Sequence, residues 1–163
     1  MQVIHCKEQE SWKMKSELIK VETVKDWMTH DVITITADTT LPTAHKLMSN
    51  YNIRRLPVVD KNGRLCGIVT RGDIRGAEPS EATTLSIWEL NYLLAKLKIK
   101  KVMIKEPLIV VHQQDSIVTA ARLMLENKVS GLPVLDENQK LIGIITESDI
   151  FRMVVGHTWQ HIE

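Results

Sequence analysis

Leu56-Pro-Val-Val-Asp-Lys-Asn-Gly-Arg-Leu-Cys-Gly-Ile-Val-Thr-Arg-Gly-Asp-Ile74 decides the organisation of this chain, because it is written twice. Seventy-six residues on, Leu132-Pro-Val-Leu-Asp-Glu-Asn-Gln-Lys-Leu-Ile-Gly-Ile-Ile-Thr-Glu-Ser-Asp-Ile150 repeats it with eleven of nineteen positions identical, where average residue usage gives about one by chance. Upstream, Ala44, Leu47 and Met48 match Ala120, Leu123 and Met124 at the same offset. Farther back the offset slips to 75, where Met28 matches Met103, so the second copy has one surplus residue after Met103. The economical reading is one unit, duplicated and fused.

Each copy reads the same way along the chain. Val32–Thr36 and Leu108–His112 are short and β-branched, which predicts a strand. Thr39-Thr-Leu-Pro and Asp115-Ser-Ile-Val supply helix caps, with Pro42 suited to a first turn. Leu41, Ala44, Leu47 and Met48 then recur at helical spacing, as do Ile117, Ala120, Ala121 and Met124, and these helices should end near Asn50 and Asn127. Leu56–Val59 and Leu65–Val69 predict a hairpin about Asp-Lys-Asn-Gly. Its second version turns through Asp-Glu-Asn-Gln, and without the glycine a different turn type is expected there. A second helix should start at Thr70 and at Thr146. The expected fold class is therefore α/β (α+β): two β-α-β-β-α units, with an N-terminal segment and a helical insert between them.

The expected divisions are an N-terminal segment 1–23, units at 24–80 and 99–155, a connecting helix within 81–98 and a tail 156–163. Gly76, Pro79 and Ser80 suggest a loop before that helix. Ser86 and Glu89 form a capping box, Leu85 and Leu90 a staple, and Ile87, Leu90, Leu93, Leu94 and Leu97 an apolar stripe. Trp88 and Tyr92 lie off the stripe and are candidates for an interface. Ser11–Lys20 has some helical character.

Composition narrows the function. Twenty-one basic against twenty acidic side chains leave +1, which argues against a nucleic-acid binder. Lys96, Lys98, Lys100 and Lys101 read as the solvated end of a helix. Cys6 and Cys66 make neither a disulfide framework nor a metal site, and a reducing cytoplasm is the expected compartment. No secretory signal and no membrane-length apolar run is seen. His157 and His161 stand four apart without a third ligand, so no metal is expected. No phosphate-binding glycine loop or nucleophile motif occurs, so no catalytic residue is assigned and no enzyme is expected.

The pattern Leu-Pro-Val-x-Asp, then Gly-Ile-x-Thr-x-x-Asp-Ile, after an x-Ala-x-x-Leu-Met helix, resembles the CBS (cystathionine-β-synthase-type) domain, twice, over roughly Val24 to Met153. The layout is similar to stand-alone CBS pairs of the acetoin-utilisation-protein group. The resemblance implies two units about a pseudo-twofold axis, clefts for an adenosine-type ligand, and pairing into homodimers. It implies a regulatory role in sensing AMP, ADP or ATP, with no required cofactor and with a protein target that the sequence leaves unknown. The chemistry agrees: a helix N-terminus attracts phosphate, a threonine hydroxyl adds a hydrogen bond, and Asp73 or Asp149 could accept ribose hydroxyls. Thr-x-x-Asp is also nearly a capping box, so these residues could simply start a helix.

Carried over, the family pattern puts Thr70, Arg71 and Asp73 with Ile109, Val129, Ser130 and Gly131 in a first cleft. Thr146, Ser148 and Asp149 join Ile33, Ile53, Arg54 and Arg55 in a second. Arg54 and Arg55 point to the second cleft as the polyphosphate site, with Arg71 the best cation of the first. The alternatives are a structural dimerisation or docking module without ligand, S-adenosylmethionine, or nucleic acid.

Overall fold

A computed structural model describes residues 22–77 and 86–159. Expectations for Cys6, Ser11–Lys20, Pro79, Ser80 and Leu85, and for the side chains of Ile87, Leu90, His157 and His161, lie outside what it describes. Helix α1 spans Val24–Trp27, α2 Leu41–Asn50, strand β1 Arg55–Val59, β2 Leu65–Thr70 and α3 Arg71–Gly76. After α4, Ile87–Lys96, and a 3₁₀ turn at Ile99–Lys101, the pattern recurs: β3 Val111–His112, α5 Ile117–Asn127, β4 Gly131–Leu135, β5 Leu141–Thr146 and α6 Glu147–Trp159. The fold is mixed α/β, with a small sheet in each copy.

Both hairpins are antiparallel, and their registers superpose at the repeat offset: Arg55 pairs with Thr70 as Gly131 pairs with Thr146. The leading strand of each copy is shorter than expected. Ile35 alone bridges Val58, and only Val111 and His112 pair with β4. Ile35 donates to the Pro57 carbonyl at 3.1 Å and accepts from Val59 at 2.9 Å. One step earlier, the Ile33 carbonyl would need the amide hydrogen of Pro57, which proline lacks. Pro133 imposes the same limit on Ile109.

The two hairpin turns are alike, against expectation. Asp60 Oδ1 accepts the amides of Asn62 and Arg64 at 2.8 and 2.9 Å, and Asp136 Oδ1 those of Asn138 and Lys140 at 2.8 Å. Gly63 has φ +76°, and Gln139 adopts φ +63° in its place. The aspartate fixes the turn, and the glutamine accepts a left-handed backbone.

Each copy's core borrows its first segment from the other. Leu41, Met48, Leu56, Val58, Val69 and Ile74 pack with Ile99, from the start of the second copy. Val111, Ile117, Met124, Leu132, Val134 and Ile145 pack with Val24 and Met28, from the start of the first. Backbone bonds reinforce the exchange: Thr29 and Ile144 exchange bonds of 2.9 and 3.0 Å, Ile68 and Ile104 bonds of 3.0 and 2.8 Å. At the far side Arg64 and Lys140 form an antiparallel bridge between the two turns. The contacts come in matched pairs, which is the pseudo-twofold axis written in hydrogen bonds. The surplus residue falls between Lys105 and Val110, where the offset changes from 75 at the Thr29–Ile104 match to 76 at Ile35–Val111.

Helix α4 begins at the expected capping box, with Glu89 Oε2 accepting from Ser86 N and Oγ at 2.9 and 2.7 Å. Leu94 and Leu97 are half-buried, but Leu93 is 53% exposed, so the packed stripe is narrower than expected. Trp88 and Tyr92 are exposed.

Candidate functional site

Two clefts open where the copies meet. The first, about 470 Å³, is lined by Thr70, Arg71, Gly72 and Arg75 from one copy and Pro107 to Ile109 and Lys128 to Pro133 from the other, with Arg54, Arg55, Ile68 and Ile104. The second, about 310 Å³, is lined by Thr146, Glu147, Ser148, Asp149 and Arg152 against Asp31 to Ile33 and Asn52 to Arg55, with Thr29, Ile144 and Ser130. Thirteen of the fourteen residues singled out by the sequence line one of these clefts. Ile109 and Val129 also pack on the second core, and Ile33 and Ile53 on the first, so the apolar walls continue the cores.

Asp73 is the exception. Its Oδ2 accepts from Thr70 N and Thr70 Oγ1, both at 2.7 Å, and its amide donates back to that hydroxyl at 3.3 Å. The capping box closes on itself, and the carboxylate does not line the first cleft. Asp149 makes the same bonds to Thr146 at 2.8 and 2.7 Å but does line the second cleft. It is 1% exposed; Arg152 Nη1 lies 3.0 Å from Oδ1, at ion-pair distance, yet that oxygen receives no well-aligned hydrogen bond.

The helix starts offer fewer free donors than expected. The Arg71 amide donates to Arg54 O at 2.9 Å, and the Glu147 amide to Ser130 O at 3.3 Å. These bonds hold each Thr-x-x-Asp turn against the residues before the next Leu-Pro. With α3 only six residues long, attraction for an anion in the first cleft rests on side chains.

Those side chains are distributed differently from the sequence expectation. Arg54 and Arg55 line both clefts. With Arg71, Arg75 and Lys128 they give the first cleft five cations and no lining carboxylate. The second has Arg54, Arg55 and Arg152 against Asp31, Glu147 and Asp149, three of each sign. The cationic surplus is therefore in the first cleft. Arg75, four residues after Arg71, and Lys128, at the left-handed end of α5 with φ +54°, are the cations the motif did not reveal. Helical spacing, legible in the sequence, places Arg75 on the Arg71 side.

Burial, and after it the neighbouring Arg54, push the Arg55 guanidinium below its ordinary value, while Glu147 and Asp149 push the other way. It stays charged. Its Nη2 donates to Ser130 Oγ, while Nη1 is buried without a hydrogen-bond acceptor. Arg71 Nη2 reaches Ile53 O at 3.4 Å and its Nε is likewise unpartnered. Among the described residues no cluster of three or more His, Cys, Asp or Glu could hold a metal, and no helix is long and apolar enough to cross a membrane. Lys98 and Lys100 pair with Asp38 at 3.4 and 3.0 Å, and Lys96 lies 4.0 Å from the Tyr92 ring centre.

The chain is 38% identical over 132 residues to a CBS domain-containing protein of Dictyostelium discoideum, covering 81% of this chain and 90% of that protein. It is 36% identical over 135 residues to homoserine O-acetyltransferase of Methanosalsum zhilinae, but spans 24% of that longer protein. Among solved structures, the CBS domain pair of MJ0100, in complex with 5′-methylthioadenosine and S-adenosyl-L-methionine, matches with TM-score 0.70 and 30% identity, over 84% of this chain and 98% of that one. CBSX2 of Arabidopsis thaliana in complex with AMP matches with TM-score 0.70 and 32% identity, over 84% and 98%. A putative acetoin utilization protein (AcuB) from Vibrio cholerae matches with TM-score 0.70 and 30% identity, over 83% and 92%. The family model for the CBS domain matches residues 24–80 and again 99–156, and with the exchanged cores and paired clefts it shows that the chain belongs to the CBS domain family, as a tandem pair.

Proposed function

We propose that this chain is a regulatory module that senses an adenine nucleotide (AMP, ADP or ATP) in the first cleft. The observation that carries the reading is the charge there: five cations and no lining carboxylate, beside apolar walls from Ile68, Ile109 and Val129. Guanidinium groups match phosphate oxygens in geometry and charge, and apolar walls suit a neutral adenine. Relatives at 30–32% identity are seen with AMP and with methylthioadenosine and S-adenosylmethionine, which share the adenosine moiety. The ligand would touch both copies, so binding favours one relative orientation of them, which a protein target reads. The balanced second cleft favours a ligand without phosphate, such as S-adenosylmethionine.

In this reading the module works in the cytoplasm as a homodimer. Val118 and Leu125 on α5 and Phe151, Val154 and Val155 on α6 are all more than half exposed, and such an apolar face supports pairing.

Calorimetric titration of the full chain with AMP, ADP, ATP and S-adenosylmethionine tests the proposal. Nucleotides should bind and raise the thermal midpoint, and Arg71→Ala should weaken them about tenfold, the loss expected for one charge-assisted contact. No heat with any of the four at millimolar concentration would sink it.

A further inference from the structure

The residue that faces Arg55 across the pseudo-twofold axis is its own counterpart, Gly131, 76 positions on. A Cβ at position 131 would lie 1.5 Å from Arg55 Nη1 and 2.8 Å from its Cζ, so the guanidinium occupies the space a second side chain would need. The duplication therefore leaves one guanidinium where strict symmetry would place two. That group lines both clefts, as does Ser130, which holds its Nη2. Its Nη1 is buried and unpartnered, and an unpartnered buried donor is costly, so an incoming phosphate oxygen would satisfy it.

We propose that Arg55 is a single shared cation that serves whichever cleft holds phosphate, so the pair binds one phosphate-bearing ligand well and a second one weakly. A planar fork directed at an anion on one side of the axis is withdrawn from the other. The second cleft then keeps two arginines against three carboxylates, which repels a further anion. The two clefts are thus coupled through one side chain rather than through a change of fold, and occupancy of one reports on the other. The inference rests on nucleotide binding as proposed above.

The experiment is AMP calorimetry on four forms of the full chain: wild type, Arg55→Met, Gly72→Trp, and Gly72→Trp with Arg55→Met. Methionine keeps the apolar stem of Arg55 without its charge. Gly72 lines only the first cleft, is exposed, and a Cβ there meets nothing closer than Thr70 Oγ1 at 3.4 Å, so tryptophan plugs that cleft at little cost to the core. In wild type the first binding step should weaken about tenfold on Arg55→Met, within the usual range of such couplings, while the second step stays unchanged. With the first cleft plugged, the remaining site should itself become dependent on Arg55 and lose about tenfold on the same change. If Arg55→Met weakens both wild-type steps, each cleft uses Arg55 independently and sharing is refuted. If it leaves the plugged protein's site untouched, Arg55 belongs to the first cleft alone, which also refutes it. When the second wild-type step is too weak to fit, sharing requires the plugged protein to bind AMP more tightly than the limit that weakness sets, and equally weak binding by the plugged protein refutes it. Absence of any AMP binding to wild type removes the nucleotide reading itself, and this inference with it.

Discussion

At the scale of single residues, chemically equal positions have unequal work. Asp73 and Asp149 both close a capping box, but Asp149 is 1% exposed and Asp73 is half-buried. Asp149→Ala strands the half-buried Thr146 amide and hydroxyl. It should lower the unfolding free energy of the ligand-free chain by about 1–2 kcal/mol, and Asp73→Ala by less. Urea denaturation measures both, and equal losses would contradict the difference in burial. Gln139 pays a left-handed backbone with φ +63° for a turn that Gly63 makes freely. Gln139→Gly should therefore stabilise, by about 0.5–1 kcal/mol, after the entropy of a freer unfolded chain is set against the relieved strain. Asp60, whose carboxylate accepts the Arg64 amide and then that of Asn62, is held below its ordinary value of 3.8. A carboxyl depressed in the folded state stabilises fully above its unfolded value, and that contribution is lost as pH falls through the folded one. Stability should drop below about pH 4, where unfolded aspartates take up protons, and Asp60→Asn should flatten that acid limb in a pH series of melts.

At the scale of elements, the hairpin strands lie where their sequence reads, although their two turns are alike against expectation, and the leading strands are shorter than their sequence reads. Short length and β-branching mark Val32–Thr36 and Leu108–His112 as strands, but their ladders depend on a neighbour whose proline has no amide hydrogen. The segment just ahead of each leading strand pairs instead with the other copy, which requires close approach. A Cβ on Gly143 would lie 2.5 Å from Met28 Sδ and 3.2 Å from Thr29 O. Gly143→Ala should push that segment off β5 and destabilise by roughly 1–3 kcal/mol, the range for overpacking. Hydrogen exchange at the Thr29 and Ile144 amides should rise with it; unchanged protection there would show that the segment tolerates the methyl group.

At the scale of the molecule, neither copy of the repeat contains the whole of its own core. Ile99, buried in the first core, comes from the second copy, and Val24 and Met28, in the second core, come from the first. A fragment covering residues 22–85 therefore lacks part of its own core and exposes the segment meant for its partner. Alone and monomeric it should melt without a cooperative transition by circular dichroism, and adding the complementary fragment 86–163 should restore one. A sharp melt of the monomeric fragment would show that the borrowed segment is dispensable.

The sequence by itself determined the duplication, the hairpins and the helix starts at Thr70 and Thr146, because these follow from local spacing, capping and turn chemistry repeated at a fixed offset; the thirteen cleft-lining residues it named came through the family resemblance, not from spacing. It also marked Arg54 and Arg55 as unusual. Only the tertiary structure decided which cleft carries the positive surplus, because Arg75 and Lys128 reach the first cleft from separate elements and Asp31, Glu147 and Asp149 gather in the second. The same holds for Asp73, whose carboxylate turns back to its own cap, and for Arg55, which lies on the axis and lines both clefts. Charge balance in a cleft sums residues far apart in the chain, and one sequence read locally has no access to that sum.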